Sequence, residues 1–170
     1  MKSEKNISLI GFMGAGKTVV GKELANQLNL EFVDLDSLIE AREKMPISEI
    51  FAKEGEPYFR KLEKEMVNKV CQSQGVVIAC GGGVVLDKEN LQNLKQNSRL
   101  IYLKASAEVI FERTKNQTHR PLLDVEKPKV RIAQLLKLRE PFYTQADYTI
   151  DTSKLDVDEV VSKILKILKE

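Results

Sequence analysis

Residues 11–18 read Gly11-Phe12-Met13-Gly14-Ala15-Gly16-Lys17-Thr18 and fit the pattern G-x-x-x-x-G-K-[ST] at every fixed position. Glycines at those positions let consecutive backbone N–H groups turn inward and meet phosphate oxygens without a Cβ in the way. Lys17 adds a full positive charge for the β- and γ-phosphates, and the Thr18 hydroxyl is a hard-oxygen ligand suited to Mg²⁺. A glycine-rich turn with an incidental lysine is the bland alternative. The flanking sequence argues against it.

On one side of the loop stands the short apolar run Ile7–Ile10, and on the other Val20, Leu24 and Leu28 repeat every four residues. Strand, glycine loop and amphipathic helix in that order place the loop at a helix N-terminus, whose dipole favours an anion. Four more short apolar runs follow: Phe32–Asp34, Val76–Cys80, Leu100–Leu103 and Tyr148–Asp151. Continuous runs of this length suit strands buried on both faces, as in a parallel sheet. Helical patterns lie between them. Pro57 fits the first turn of a helix over Tyr58–Gln72, Asp87 caps Lys88–Lys95, and Ser106 caps Ala107–Lys115. Asp156 with Glu159 forms a capping-box pattern ahead of Val160–Leu168. The alternation predicts a three-layer α/β fold, a five-stranded parallel sheet with helices on both faces, in a single domain over residues 1–170.

Two stretches interrupt the alternation. Ala41–Arg60 contains Pro46, Gly55 and Pro57 and reads as two short helices with a turn, inside an expected acceptor-binding insertion at about 36–60. Asn116–Asp124 is polar and carries Arg120-Pro121, which predicts a mobile lid at about 114–126.

The second strand ends in Asp34-Leu35-Asp36, carboxylates at i and i+2, which strand periodicity would put on one face. Ligands collect at the carboxyl ends of strands in open α/β sheets, so both should point at the phosphate site. One can serve the metal while the other accepts a hydrogen bond from an attacking hydroxyl; a helix cap is the competing use. Three glycines, Gly81-Gly82-Gly83, leave the third strand, and close approach of backbone to a ligand explains them better than a plain turn.

Composition bounds the rest. With 27 basic and 25 acidic side chains, a net charge of +2 speaks against a general nucleic-acid or membrane-surface binder. Nothing approaches ~18 consecutive apolar residues, so a cytoplasmic protein with no membrane partner is expected. Cys71 and Cys80 lie in apolar surroundings and read as small buried hydrophobes. His119, the single histidine, reads as an exposed loop residue, and the Glu63–Glu65 and Lys163–Lys169 charges as solvated helix faces.

Taken together, the glycine loop, Asp34-Leu35-Asp36, Gly55-Glu56…Phe59-Arg60…Glu63, Gly81-Gly82-Gly83, Arg120-Pro121-Leu122-Leu123 and Arg139…Tyr143 occur in the order seen in shikimate kinases. The likeness runs from about Ile7 to about Thr152. Thr18 stands where serine is common and keeps the hydroxyl. The resemblance implies transfer of the γ-phosphoryl of ATP to the 3-hydroxyl of shikimate, with Mg²⁺, on the route to aromatic amino acids. It implies that Asp36 binds the substrate hydroxyls and acts as base, with Lys17 and Arg120 as its catalytic companions. Arg60 and Arg139 would clamp the carboxylate while Gly82 gives a backbone contact. Gly14, Ala15, Gly16, Lys17, Thr18 and Val19 would hold the nucleotide, Thr18 and Asp34 the metal. Arg120 would close over the transferred phosphate, and Arg113 and Ser153 would lie near adenine. A monomer with a small-molecule partner is expected.

Physical chemistry agrees with that division of labour. A carboxylate asks for a planar cationic fork, which arginine supplies, and hydroxyls ask for acceptors, which aspartate supplies. The nearest competing reading is another small-molecule kinase of the same architecture, such as a gluconate or nucleoside monophosphate kinase. A nucleotide-dependent switch is the reading from another class, and the Asn-Lys-x-Asp base-recognition motif of guanine switches is absent from the sequence.

Overall fold

β1 (Asn6–Ile10) carries the chain straight into the glycine loop and is buried at all five positions. In the computed structural model, which describes residues 5–117 and 123–170, this strand is the centre of a five-stranded parallel sheet in the order β2-β3-β1-β4-β5. The others are β2 (Glu31–Asp34), β3 (Val76–Ala79), β4 (Ser98–Lys104) and β5 (Tyr148–Asp151). Helices α1 (Lys17–Leu28), α2 (Leu35–Glu43), α3 (Ile47–Glu54), α4 (Glu56–Val70), α5 (Lys88–Asn97), α6 (Ala107–Thr114), α7 (Pro128–Tyr143) and α8 (Val157–Lys169) connect and follow them.

Alternation along the strands creates two cores. Ile7, Leu9, Val77, Ile101, Leu103 and Ile150 face the layer of α1 and α8, packing on Val20, Leu24, Val160 and Ile164. Ile10, Val76, Ile78, Leu100 and Tyr102 face the other way, onto Leu62, Met66, Leu94, Ile132 and Leu135 from α4, α5 and α7. Strands buried on both faces are what the continuous apolar runs require.

The predicted strands are all present, β5 with the bounds expected and the other four with altered ends. β4 is longer than the apolar run Leu100–Leu103 because Ser98 and Arg99 pair with Asn6 and Ile7 of β1. Backbone pairing extends a strand through polar residues that an apolar run cannot detect. β3 ends at Ala79, although Cys80 N–H still donates to the Leu9 carbonyl at 3.0 Å. The caps are those expected: Asp87 accepts from Glu89 and Asn90 N–H, Ser106 from Val109 N–H, and Asp156 and Glu159 form a reciprocal box at 2.8 Å each way. The stretch 41–60, expected as two short helices with a turn, holds the end of α2, the eight-residue α3 and the start of α4, which runs on for 15 residues in all. Lys44 ends α2 in the left-handed region, and Gly55, at φ 82, joins α3 to α4.

Candidate active site

The glycine loop is a left-handed turn at the mouth of α1, with Gly14 at φ 79 and Gly16 at φ 98. A side chain at either position would be strained, and a Cβ on Gly14 would also lie 2.7 Å from the Thr114 methyl. Several bonds hold the loop: Ala15 N–H donates to the Phe12 carbonyl, Arg113 Nη1 to the Gly14 carbonyl at 3.1 Å, and Thr152 Oγ1 reaches the Ala15 carbonyl. Lys17 Nζ donates to the carbonyls of Gly11 and Phe12, the latter at 3.0 Å. Thr18 Oγ1 donates to Asp34 Oδ2 at 2.8 Å. A cavity of about 260 Å³ opens here, lined by Gly14, Gly16, Lys17, Thr18, Val19, Asp34, Asp36, Cys80 and Arg113, among others.

Asp34 and Asp36 both line this cavity, but not by strand pleat. β2 stops at Asp34, and Asp36 belongs to the first turn of α2. Asp34 Oδ1 accepts from Ser37 N–H at 3.1 Å, so Asp34 is at once the α2 cap and the partner of Thr18. The carboxylates therefore separate: Asp34 stays with the loop, while Asp36 turns toward a second cavity.

That second cavity, about 350 Å³, is lined by Asp36, Arg60, Glu63, Arg139 and the three glycines, with Pro46, Ile47, Phe51 and Phe59 as an apolar wall. The glycines make room for its charged groups. A Cβ on Gly81 would lie 2.9 Å from both Asp36 Oδ1 and Glu63 Oε2, and one on Gly82 would lie 3.3 Å from Arg139 Nη1. A Cβ on Gly83 would lie 2.7 Å from Arg60 Cζ and closer to both terminal nitrogens. Each missing side chain is the seat of a named group.

Arg60 donates to Glu63 at 2.9 Å and to Glu56 at 3.2 Å, and its guanidinium sits 5.2 Å from the Phe59 ring centre. Burial works against its charge, but the two carboxylates prevail and its pKa is raised. Arg139, 3% exposed, lies 5.4 Å from the Phe12 ring centre. Its Nη1 is buried with no hydrogen-bond partner among the described residues. A buried cation with an idle donor in a cavity fits a site built to receive an anion.

Glu63 corrects the sequence reading. It is 1% exposed rather than on a solvated face, and burial raises its pKa, with Arg60 opposing and Asp36 reinforcing. The signal was available: Phe59, Glu63, Met66 and Val70 form one helical stripe, and Arg139 stands likewise between Leu135 and Tyr143. Glu65 does lie outside, paired with Arg42 at 2.6 Å.

Arg113 also donates to the Thr152 carbonyl at 3.2 Å, linking the loop to the residues after β5. Ser153 accepts from Ser106 N–H at 3.0 Å and is not among the cavity-lining residues. Arg120 and His119 lie outside the described residues, as do Thr118, Pro121 and Leu122. Both cysteines are buried; burial pushes the Cys71 thiol up to about 11 and the Cys80 thiol higher still, which suits inert packing. Among the described residues no helix is long and apolar enough to cross a membrane.

A family model described as shikimate kinase matches residues 13–169. A shikimate kinase of Thermodesulfovibrio yellowstonii is 52% identical over 162 residues, 95% of this chain and 94% of that protein. The solved structure of the Acinetobacter baumannii shikimate kinase in complex with shikimate is 40% identical, covers 99% of this chain and 94% of that one, and superposes with a TM-score of 0.96. A gluconokinase from Sinorhizobium meliloti, at 17% identity and a TM-score of 0.65 over 99% of this chain and 94% of that one, shares the fold alone.

Proposed function

The chain belongs to the shikimate kinase family, and we propose that its two cavities are the nucleotide and acceptor halves of one site, transferring the γ-phosphoryl of ATP to the 3-hydroxyl of shikimate. One observation carries this reading: Met13, Asp36, Gly81 and Gly82 line both cavities, so an acceptor held by the arginines and a nucleotide held by the loop meet at Asp36.

The division of labour follows from the chemistry of each group. Arg60 and Arg139 hold the carboxylate; Gly82 offers its backbone, and Asp36 orients the hydroxyl and takes its proton. Gly14, Ala15, Gly16 and Val19 wrap the phosphates with Lys17 as their counter-charge, and Arg113 and Ser153 border the adenine side. Phosphoryl transfer needs mainly positioning and charge stabilisation, which these groups supply without covalent chemistry. Thr18 and Asp34 are adjacent hard-oxygen groups at the loop, a donor set that fits Mg²⁺ completed by phosphate oxygens. The metal would supply neutralisation of charge on the phosphates. Arg120 is assigned to a lid at about 114–126 that excludes water. The acceptor segment is about 36–60, within one kinase unit that acts as a cytoplasmic monomer in the route to aromatic amino acids.

The test is ADP release by the purified chain with ATP and Mg²⁺, comparing shikimate, gluconate and nucleoside monophosphates as acceptors. Shikimate should accelerate release by about 10² or more over ATP alone, and the others should not. Acceleration by gluconate instead of shikimate would sink the reading.

The glycine seats give a second expected result. Gly83, at φ −97, accepts alanine without backbone strain, but the new Cβ displaces the Arg60 guanidinium. Gly83→Ala should raise the shikimate KM about tenfold with the ATP KM nearly unchanged. Steady-state kinetics in both substrates would show it; a matched rise in both would count against the seat.

A further inference from the structure

Three consecutive glycines are the freest backbone a chain can have, yet all three line the second cavity, where they offer only peptide groups. Two of the three carbonyls are fixed locally. Gly81 accepts from Val84 N–H and Gly83 from Leu86 N–H, both at 3.1 Å, as the chain enters the short 3₁₀ turn Val84–Leu86. The Gly82 carbonyl accepts instead from the hydroxyl of Tyr143, across a separation of 61 residues. A peptide unit is planar and trans, so holding the Gly82 carbonyl on one side aims the Gly83 N–H to the opposite side.

Tyr143 is built to be rigid. It is the last residue of α7, fully buried, and one helical turn beyond Arg139, so both approach Gly82 from the same helix. Its ring stacks on Tyr102 with centres 4.9 Å apart and planes 20° from parallel. The Tyr102 hydroxyl donates to Glu140 Oε2 at 2.7 Å, and Glu140 Oε1 pairs with Lys104 at 3.1 Å, which anchors the stack to β4. A tyrosine has only two χ angles to fix, so little freedom is left once the ring is packed. Burial pushes the Tyr143 phenol up to about 12, with Arg139 opposing, so it stays a donor at ordinary pH.

We propose that Tyr143 is a positioning residue of the acceptor site: its hydroxyl sets the Gly82–Gly83 peptide plane beside Arg139, and so the orientation in which shikimate is received. The inference rests on the acceptor reading above. Shikimate-dependent turnover by the unmodified enzyme tests that reading first, and only the variants test this one.

Tyr143→Phe keeps the ring and its stack and removes one oxygen. The shikimate KM should rise about tenfold, with the ATP KM within about twofold and the thermal midpoint close to the parent's. Tyr102→Phe, which cuts the link to Glu140 but leaves the Tyr143 hydroxyl, should raise the shikimate KM far less. An unchanged shikimate KM in Tyr143→Phe, a parallel rise in the ATP KM, or an equal rise in Tyr102→Phe would each overturn the proposal. As a second, nearly isosteric probe, 3,5-difluorotyrosine at position 143 ionises at lower pH, and a phenolate cannot donate. Among the described residues, the charged groups facing that phenol are Arg139 and Glu140 on α7 and Arg60 on α4, and the titratable Tyr102 phenol stacks on it from β4. The shikimate KM of this enzyme should climb with pH where the fluorinated phenol ionises while the parent's stays flat; a flat profile in both overturns the proposal.

Discussion

Lys17→Ala should lower kcat by at least about three orders of magnitude, equivalent to ~4 kcal/mol of lost transition-state stabilisation. The ammonium is the one lysine charge among the described residues lining the loop cavity, and charge spread over a transferring phosphoryl group is stabilised chiefly by fixed cations. Lys17 also bonds the Gly11 and Phe12 carbonyls, so its removal loosens the loop somewhat. The Ala15–Phe12, Arg113–Gly14 and Thr152–Ala15 links survive the change. The stability loss should therefore stay near 1 kcal/mol, or about 2–4 °C in thermal midpoint for a chain of this size. Single-turnover rates beside a melting curve would separate the two effects. Activity within tenfold of the parent would remove Lys17 from the mechanism, and a collapse of the melting transition would make its role structural.

The loop and sheet were legible because both are local statements. G-x-x-x-x-G-K-[ST] states its own conformation, and runs such as Val76–Ala79 state their two-sided burial. Strand ends were less legible, since Ser98, Arg99 and Lys104 join β4 only through pairing with neighbouring strands. The acid-base roster was legible as composition but not as geometry. Asp34 and Asp36 diverge because the strand breaks into a helix between them, which an i, i+2 count cannot reveal. Glu63 and Arg139 had a readable signal, a charge at a stripe position of a helix, outweighed by the charged residues around them. Nothing local announces that Gly81, Gly82 and Gly83 make room for groups from α2, α4 and α7, because those contacts exist only after the helices have packed.

That packing also explains why charges can be buried here at tolerable cost. Glu63 alone would be an unpaired carboxylate in an apolar layer, and Arg139 alone an unpaired cation. Glu63 is bonded to Arg60, and burial still leaves its pKa raised, with Arg60 and then Arg139 favouring its charge and Asp36 opposing it. The site keeps a near balance of charge, while Arg139 Nη1 retains a donor that, in the proposed site, would meet an incoming carboxylate. A shikimate carboxylate would complete a partly satisfied network rather than enter a finished one.

The two aspartates should be separable by metal. Asp34 touches Thr18 and caps α2, so Asp34→Asn should raise the Mg²⁺ requirement and recover much of its rate at high Mg²⁺. The asparagine oxygen can keep the Ser37 cap, but its amide nitrogen would then face the Thr18 hydroxyl, which must turn to accept. Asp36 lines both cavities and touches the space over Gly81, so Asp36→Asn should lower kcat by about 10²–10⁴ and weaken shikimate binding. Excess metal should not restore it, because what is lost is an acceptor for the hydroxyl proton rather than a charge on the phosphates. Asparagine preserves size in both cases, which makes the comparison one of electrostatics rather than packing. A titration of rate against Mg²⁺ in both variants decides the matter. If high Mg²⁺ revives Asp36→Asn and leaves Asp34→Asn inactive, the assignments are reversed, and the carboxylate at the meeting of the two cavities belongs to the metal.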